Sequence, residues 1–242
     1  MKRGVLFVAA LLCAASLAAA PVKIARNSKP LDFSYAWSAQ AAAVPALDRR
    51  FRLNLNKSLK DALANAREDQ MLARQQKRDF NQHYFSLQWT TAGQTPRLLS
   101  LQSERGTFEG GAHPLTSYDA LLWDSRLNRE VKVGGLFLRP SAFAALTRAP
   151  YCKALDKERL KRREGEKLDL PEFNACPKYS DLAIAPVDRD KDGRFDAIDF
   201  VASPYVAGPY AEGEYVTVLP VTRQLMAALQ PGYRPSFEPQ RQ

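Results

Sequence analysis

Five aspartates crowd one short stretch, Asp188-Arg-Asp190-Lys-Asp192-Gly193-Arg194-Phe195-Asp196-Ala-Ile-Asp199. Acidic oxygens stand at positions 1, 3, 5, 9 and 12 of a twelve-residue loop, with glycine at position 6. That is the spacing of an EF-hand-type calcium loop, in which alternate carboxylates on a tightly curled backbone meet around one hard cation. In this reading Asp188, Asp190, Asp192, Asp196 and Asp199 supply side chains and Arg194 supplies its carbonyl. Gly193 takes the unusual backbone angle at the bend without steric cost. The aspartates against Arg189, Lys191 and Arg194 leave the stretch at −2 inside a chain of +9, so the carboxylates repel one another unless a cation joins them.

A second reading is equally open. Asp192-Gly193 lies between two apolar alternating runs, Leu182–Ala185 and Phe195–Val201, which is the pattern of a β-hairpin turn. The flanks read as strands, not as the paired helices of an EF-hand. Aspartate at position 12 reaches less far than the usual glutamate, and Phe195 at position 8 is bulky. A calcium site and a bare acidic turn both fit, and one geometry accommodates either.

Little else in the sequence points to chemistry. It contains no Gly-x-Ser-x-Gly, His-Glu-x-x-His, phosphate-binding glycine loop or dinucleotide fingerprint, and only two histidines. Carboxylates are plentiful and a glycosidase needs only two, so a hydrolase acting on peptidoglycan or another glycan through paired carboxylates is the alternative to a non-enzymatic protein. Lys157, Arg159, Lys161, Arg162, Arg163 and Lys167 form a basic cluster. Asp156, Glu158, Glu164 and Glu166 are interleaved with it, so it reads as a solvated helical face. No stacking motif accompanies it, and no nucleic-acid partner is expected.

The beginning of the chain sets the compartment. Lys2 and Arg3 precede an uncharged run from Gly4 to Ala20 that ends in three alanines. This is the pattern of a secretory signal peptide over residues 1–20, too short in its apolar core for a membrane anchor. No later stretch is long and apolar enough to span a bilayer, so no transmembrane helix is expected after cleavage. The product is expected to be periplasmic or secreted, with its charge reduced to +7 by loss of Lys2 and Arg3. Removing Cys13 leaves Cys152 and Cys176, an even pair that reads as one disulfide in an oxidising compartment. It would close a loop of roughly 24 residues and contribute about 3 kcal/mol in the chain-entropy view.

These features need a scaffold. Leu31–Trp37 alternates as a strand. Residues 41–77 are rich in helix formers, and Val44, Leu47, Phe51, Leu55, Leu59 and Leu63 mark one buried face. From His83 the period changes to two, and further strands are expected at 97–104, 118–123 and 131–137. A helix opens at Pro140 and runs to about Tyr151, followed by a charged helical excursion over 153–170. The hairpin around the acidic loop, a strand at 214–220 and a helix capped by Thr222 follow. A polar, loose tail occupies 236–242. The order implies an α+β fold, a mostly antiparallel sheet with packed helices.

Two further segments carry a resemblance. They are Gly110-Gly111-Ala112-His113-Pro114 with Ser117-Tyr118-Asp119, and Pro204-Tyr205-Val206-Ala207-Gly208-Pro209-Tyr210-Ala211-Glu212-Gly213. Together they resemble the paired extracytoplasmic domains of a lysozyme-receptor anti-sigma factor and of the non-catalytic region of a peptidoglycan deacetylase. Residues 21–130 are similar to DUF4163 domains, and residues 131–235 to DUF3298 domains. The resemblance implies an α+β fold and a cell-envelope setting, with an envelope protein or glycan as partner. A lysozyme-like partner belongs to that implication, although a mature charge of +7 would slow its encounter with a basic lysozyme. Read from the residues themselves, Gly110-Gly111 supports a tight turn. His113 is a base, a ligand or a turn residue, and Tyr205 and Tyr210 cover a core or line a groove. The sequence as a whole therefore describes an exported cell-envelope binding protein with His113, Tyr205 and Tyr210 as candidate contacts.

Overall fold

The structure is a computed structural model that describes residues 19–240. Six strands form the first sheet: β1 (Val22–Asn27), β2 (Leu31–Trp37), β3 (His83–Gln94), β4 (Leu98–Phe108), β5 (Leu115–Asp124) and β6 (Arg129–Val131). Their spatial order is their order in the chain. Every neighbouring pair is antiparallel except β2 and β3, which run parallel. A parallel pair needs a crossover. It is supplied by the short helix α1 (Ala39–Ala42) and the long helix α2 (Pro45–Gln75).

The alternation in β2 and β3 puts Phe33, Tyr35, Trp37, Phe85, Leu87 and Trp89 on one face. Leu47, Phe51 and Leu55 of α2 cover that face and complete the first core. Rings fill it closely, with Phe33 stacked on Phe85 at 5.0 Å and Phe51 on Trp89 at 5.2 Å.

A second, three-stranded antiparallel sheet comprises β7 (Leu182–Val187), β8 (Ala197–Ala202) and β9 (Tyr215–Pro220). Helix α3 (Pro140–Arg162) packs on it, with α4 (Arg223–Ala228) alongside. Phe200 at the sheet centre lies 4.9 Å from Tyr151 and 6.1 Å from Phe143 of α3. All six residues of β8 are buried, because its other face turns toward the first sheet. The sheets meet where β7 lies against β3, β4 and β5. Gly93 marks that approach: a side chain there would come within 2.9 Å of both the Cβ and the backbone nitrogen of Asp188.

The α+β class and the mostly antiparallel sheet agree with the sequence. Four details differ. The strand β1 carries too few apolar residues to stand out. The expected strand at 131–137 is only its first residue, the end of β6; Val133–Leu136, with its two glycines, closes into a 3-10 turn instead. Helix α3 runs unbroken through Pro150 but ends at Arg162, so residues 163–170 of the expected helical excursion are turn and irregular backbone. Burial of Tyr151, Leu155 and Arg159 along one stripe offsets the roughly 3 kcal/mol that an interior proline costs.

The expected loose tail is docked as far as it is described. Phe195 N–H donates to the carbonyl of Ser236, Glu238 N–H donates to that of Phe195, and Phe237 is buried against the Phe195 ring. The apolar Phe237 inside a polar run was the cue. The expected leader lies outside the described residues except for its last two.

Candidate functional site

The acidic stretch joins β7 to β8, so it is a hairpin loop between strands. Lys191 (φ 62°) and Gly193 (φ 91°) take left-handed backbone and curl the loop inward. Asp188, Asp190 and Asp192 each offer an oxygen, and these oxygens lie within 4.8 Å of one another. Oxygens bound to a common calcium at about 2.4 Å are at most about 4.8 Å apart, so these three fit one ion's shell. Asp188 spends Oδ2 on the N–H of Gly193 at 3.0 Å, and its buried Oδ1 has no hydrogen-bond partner among the described residues.

Two of the remaining sequence-marked ligands, Asp196 and Asp199, already have partners outside this cluster. Asp196 accepts the N–H of Arg189 at 2.9 Å, which closes the neck of the loop. Asp199 belongs to β8. Its oxygens take the Arg189 guanidinium at 2.7 Å and the Gln102 amide of the first sheet at 3.5 Å. Arg194 donates its N–H to Asp192 at 3.0 Å and pairs through its side chain with Asp192 and Glu238. Glu238, unmarked in the sequence reading, reaches the cluster because Phe237 anchors its segment. Burial would raise the Asp192 carboxyl, but hydrogen bonds with Glu238 and with the Arg194 backbone and side chain, together with the Arg194 charge, hold it below its usual range.

His113, Tyr205 and Tyr210 come together from segments about ninety residues apart in the chain. His113 stands in the β4–β5 turn and stacks on Tyr210 with ring centroids 3.8 Å apart. The Tyr205 hydroxyl meets His113 Nε2 at 3.3 Å, and the Tyr205 and Tyr210 rings lie 5.8 Å apart. His113 Nδ1 is 2.9 Å from the Pro114 carbonyl. The stack faces solvent: His113 is exposed, Tyr210 is half-buried, and Tyr205 is 50% exposed. Tyr205 also has φ 71°, a left-handed conformation that a bulky residue rarely takes. Of the two readings of these rings, core or groove, neither describes them; they form a surface ledge.

The ledge is held from below by arginines that the sequence suggested were solvated. Arg159 is 2% exposed and donates to the carbonyls of Ala207, Asn174 and Ala175. Arg162 donates to the carbonyls of Glu212 and Glu214 and lies over the Tyr215 ring at 4.1 Å. Arg163 forms a two-pronged pair with Glu212 at 2.8 and 2.9 Å. That pair holds the Glu212 carboxyl below its usual range and outweighs burial. Gly208 allows the approach, since a Cβ there would fall 2.1 Å from Glu212 Oε2. Spacing was the missed signal: Arg159 continues the Tyr151–Leu155 stripe at intervals of four. Cys152 and Cys176 are bonded and tie α3 to the segment whose carbonyls Arg159 grips.

This architecture, a six-stranded sheet under a long crossover helix joined to a three-stranded sheet under a second helix, is similar to that of two solved proteins. The crystal structure of a DUF3298 family protein from Pseudomonas aeruginosa PAO1 matches with TM-score 0.55 at 16% identity, covering 91% of this chain and 97% of the other. A DUF3298 member from Bacteroides fragilis matches with TM-score 0.51 at 16% identity, covering 89% and 96%. In sequence, residues 24–116 match the family described as Deacetylase PdaC. No curated protein matches the chain significantly. The sequence match thus falls in the first half of the chain, and the likeness of fold to DUF3298 family structures extends over both halves. No helix among the described residues is long and apolar enough to cross a membrane.

Proposed function

We propose that this chain is a non-enzymatic binding protein of the cell envelope, exported to the periplasm or beyond, that holds a protein or glycan partner on the His113–Tyr205–Tyr210 ledge. Residues 21–130 act as its DUF4163-like part, and the 188–199 loop takes a calcium ion that orders it. One observation carries the reading. Three rings from two distant segments are stacked in the open, one of them on a strained backbone, and the arginines of α3 fix the support beneath. Stacked rings with polar edges suit the faces of sugars and the side chains of proteins. Backbone strain in an exposed ring is characteristic of ligand-contacting positions.

The hydrolase alternative requires a carboxyl held protonated near neutrality. Asp69, Asp124, Glu130, Asp192 and Glu212 are each displaced downward, which does not suit them to that role. Burial opposes the shift at each, and hydrogen bonds from neighbouring side chains prevail.

Co-sedimentation with peptidoglycan sacculi, alongside pull-down from envelope extract, tests the ledge. The unaltered protein retains a partner, and the Tyr205→Ala/Tyr210→Ala double variant loses it without a change in melting temperature. Equal retention by both overturns the proposal, and turnover of peptidoglycan fragments establishes the hydrolase in its place. For the loop, millimolar calcium raises the melting temperature of the unaltered protein but not of Asp190→Ala, whose side chain is exposed. No shift in either removes the ion.

A further inference from the structure

Beyond the edge of α2, the helix-covered face of the first sheet opens into a cleft of about 590 Å³. None of the ledge rings lines it. Its apolar floor includes Leu87 and Trp89, and the 65% exposed Leu53 projects from the helix wall. Its rim is rich in donors. Arg50 and Lys57 come from α2, Arg105 from β4, and Lys132 follows β6. Only Asp119 and Glu130 oppose them.

Lys57 pairs with Asp61 at 2.5 Å, outside the lining, and the two lining carboxylates do not balance the other three donors. Glu130 is shared between Arg50 at 2.7 Å and Lys132 at 3.0 Å. Arg105 has no carboxylate within ion-pair distance among the described residues, and its guanidinium lies 6.0 Å from the Phe85 ring centre. Asn54 accepts the Tyr35 hydroxyl at 2.9 Å through Oδ1, which leaves its amide donors for another molecule. The Trp89 indole N–H sits beside the Tyr35 hydroxyl without a hydrogen bond of ordinary geometry. An occupant must therefore be negative and dense in acceptors, with an apolar side to lie against Leu53 and the floor.

From this arrangement we infer that the cleft binds an anionic sugar, a saccharide bearing carboxylate or phosphate oxygens, with Arg105 as its principal charge contact. A sugar ring supplies both features: hydroxyl and oxyanion acceptors at its rim and an apolar C–H face. Guanidinium groups recognise either oxyanion in a two-pronged fashion.

The test measures quenching or shift of tryptophan fluorescence, with calorimetry, on the unaltered protein. The probes are trigalacturonate, glucose 6-phosphate, neutral maltotriose and triglutamate. Trigalacturonate or glucose 6-phosphate binds, maltotriose does not, and high salt weakens the complex. The tighter of the two charged probes identifies the oxyanion as carboxylate or phosphate. Arg105→Ala lowers affinity about tenfold or more, whereas Arg126→Ala, outside the cleft, leaves it unchanged. Absence of binding by both charged sugars at millimolar concentration overturns the inference. So does equal binding by maltotriose, an unaltered affinity in Arg105→Ala, or stronger binding of triglutamate, which would make the occupant an acidic peptide. Because the ledge variants leave this cleft intact, either site can fail without the other.

Discussion

Replacing Arg163 with methionine isolates the clamp beneath the ring ledge. The Arg163 side chain is 6% exposed, and that of its partner Glu212 is 14% exposed. The guanidinium also donates to Asn174 Oδ1 at 3.0 Å and, at 3.4 Å, to the carbonyls of Phe173 and Ala207. Methionine keeps much of the stem's volume and removes every donor. Glu212 is then left with the Tyr215 hydroxyl as its side-chain partner. Stranding one member of a buried pair costs about 3–5 kcal/mol. Residual exposure of Glu212 places this case near the lower end, about 3 kcal/mol. For a chain of this length each kcal/mol is worth roughly 2–4 °C, so the melting temperature falls by about 6–12 °C.

The pH dependence gives a second readout. The folded Glu212 carboxyl titrates below its usual range, chiefly through Arg163. Its stabilisation is complete above the unfolded carboxyl's pKa of about 4.3 and is lost as pH falls through the folded value. The gap between unaltered protein and variant therefore narrows below about pH 4. Thermal melts followed by circular dichroism from neutral to acidic pH measure both quantities. A neutral-pH loss under about 2 °C, or a gap undiminished at about pH 3, would refute the reasoning.

Three further outcomes are expected. Tyr205→Gly relieves the left-handed strain and sacrifices a half-exposed ring, so stability holds or rises by up to about 1 kcal/mol while partner retention falls; a lower melting temperature contradicts strain held for function. Phe237→Ala opens the second core at its contact with Phe195 and costs about 3–5 kcal/mol in denaturant unfolding; a loss under about 1 kcal/mol would return that segment to a loose tail. Gly208→Ala forces Glu212 away from its position and destabilises the ledge's support by about 1–3 kcal/mol, read in the same unfolding assay, where a neutral result removes the argument for close approach.

The sequence was informative where one element's own pattern decides its structure. Helix α2, the alternation of β2 and β3 and the Thr222 cap, whose hydroxyl accepts the Leu225 N–H, follow from period and capping alone. It was ambiguous where distant residues compete for one partner. Asp196 and Asp199 fit a ligand spacing in sequence, yet hairpin register sends them to Arg189 and Gln102. Arg159 looked like part of a charged run because the carbonyls it satisfies belong to segments far along the chain. The proximity of His113 to Tyr205 and Tyr210 has no local sequence signature. The motif resemblance marked these residues, and only the folded chain shows them in contact.

The single parallel neighbour in the first sheet has a consequence for how the fold assembles. β3, β4 and β5 are joined by short turns and can zip together from adjacent chain. β1 and β2 form their own hairpin, but it reaches β3 only after a 31-residue helix has wrapped across the layer. Closing that long excursion carries the larger entropic cost, so the seam between β2 and β3 closes late and opens early. Amide hydrogens bridging that seam would exchange ahead of those between β4 and β5, marking the plane along which the first layer separates.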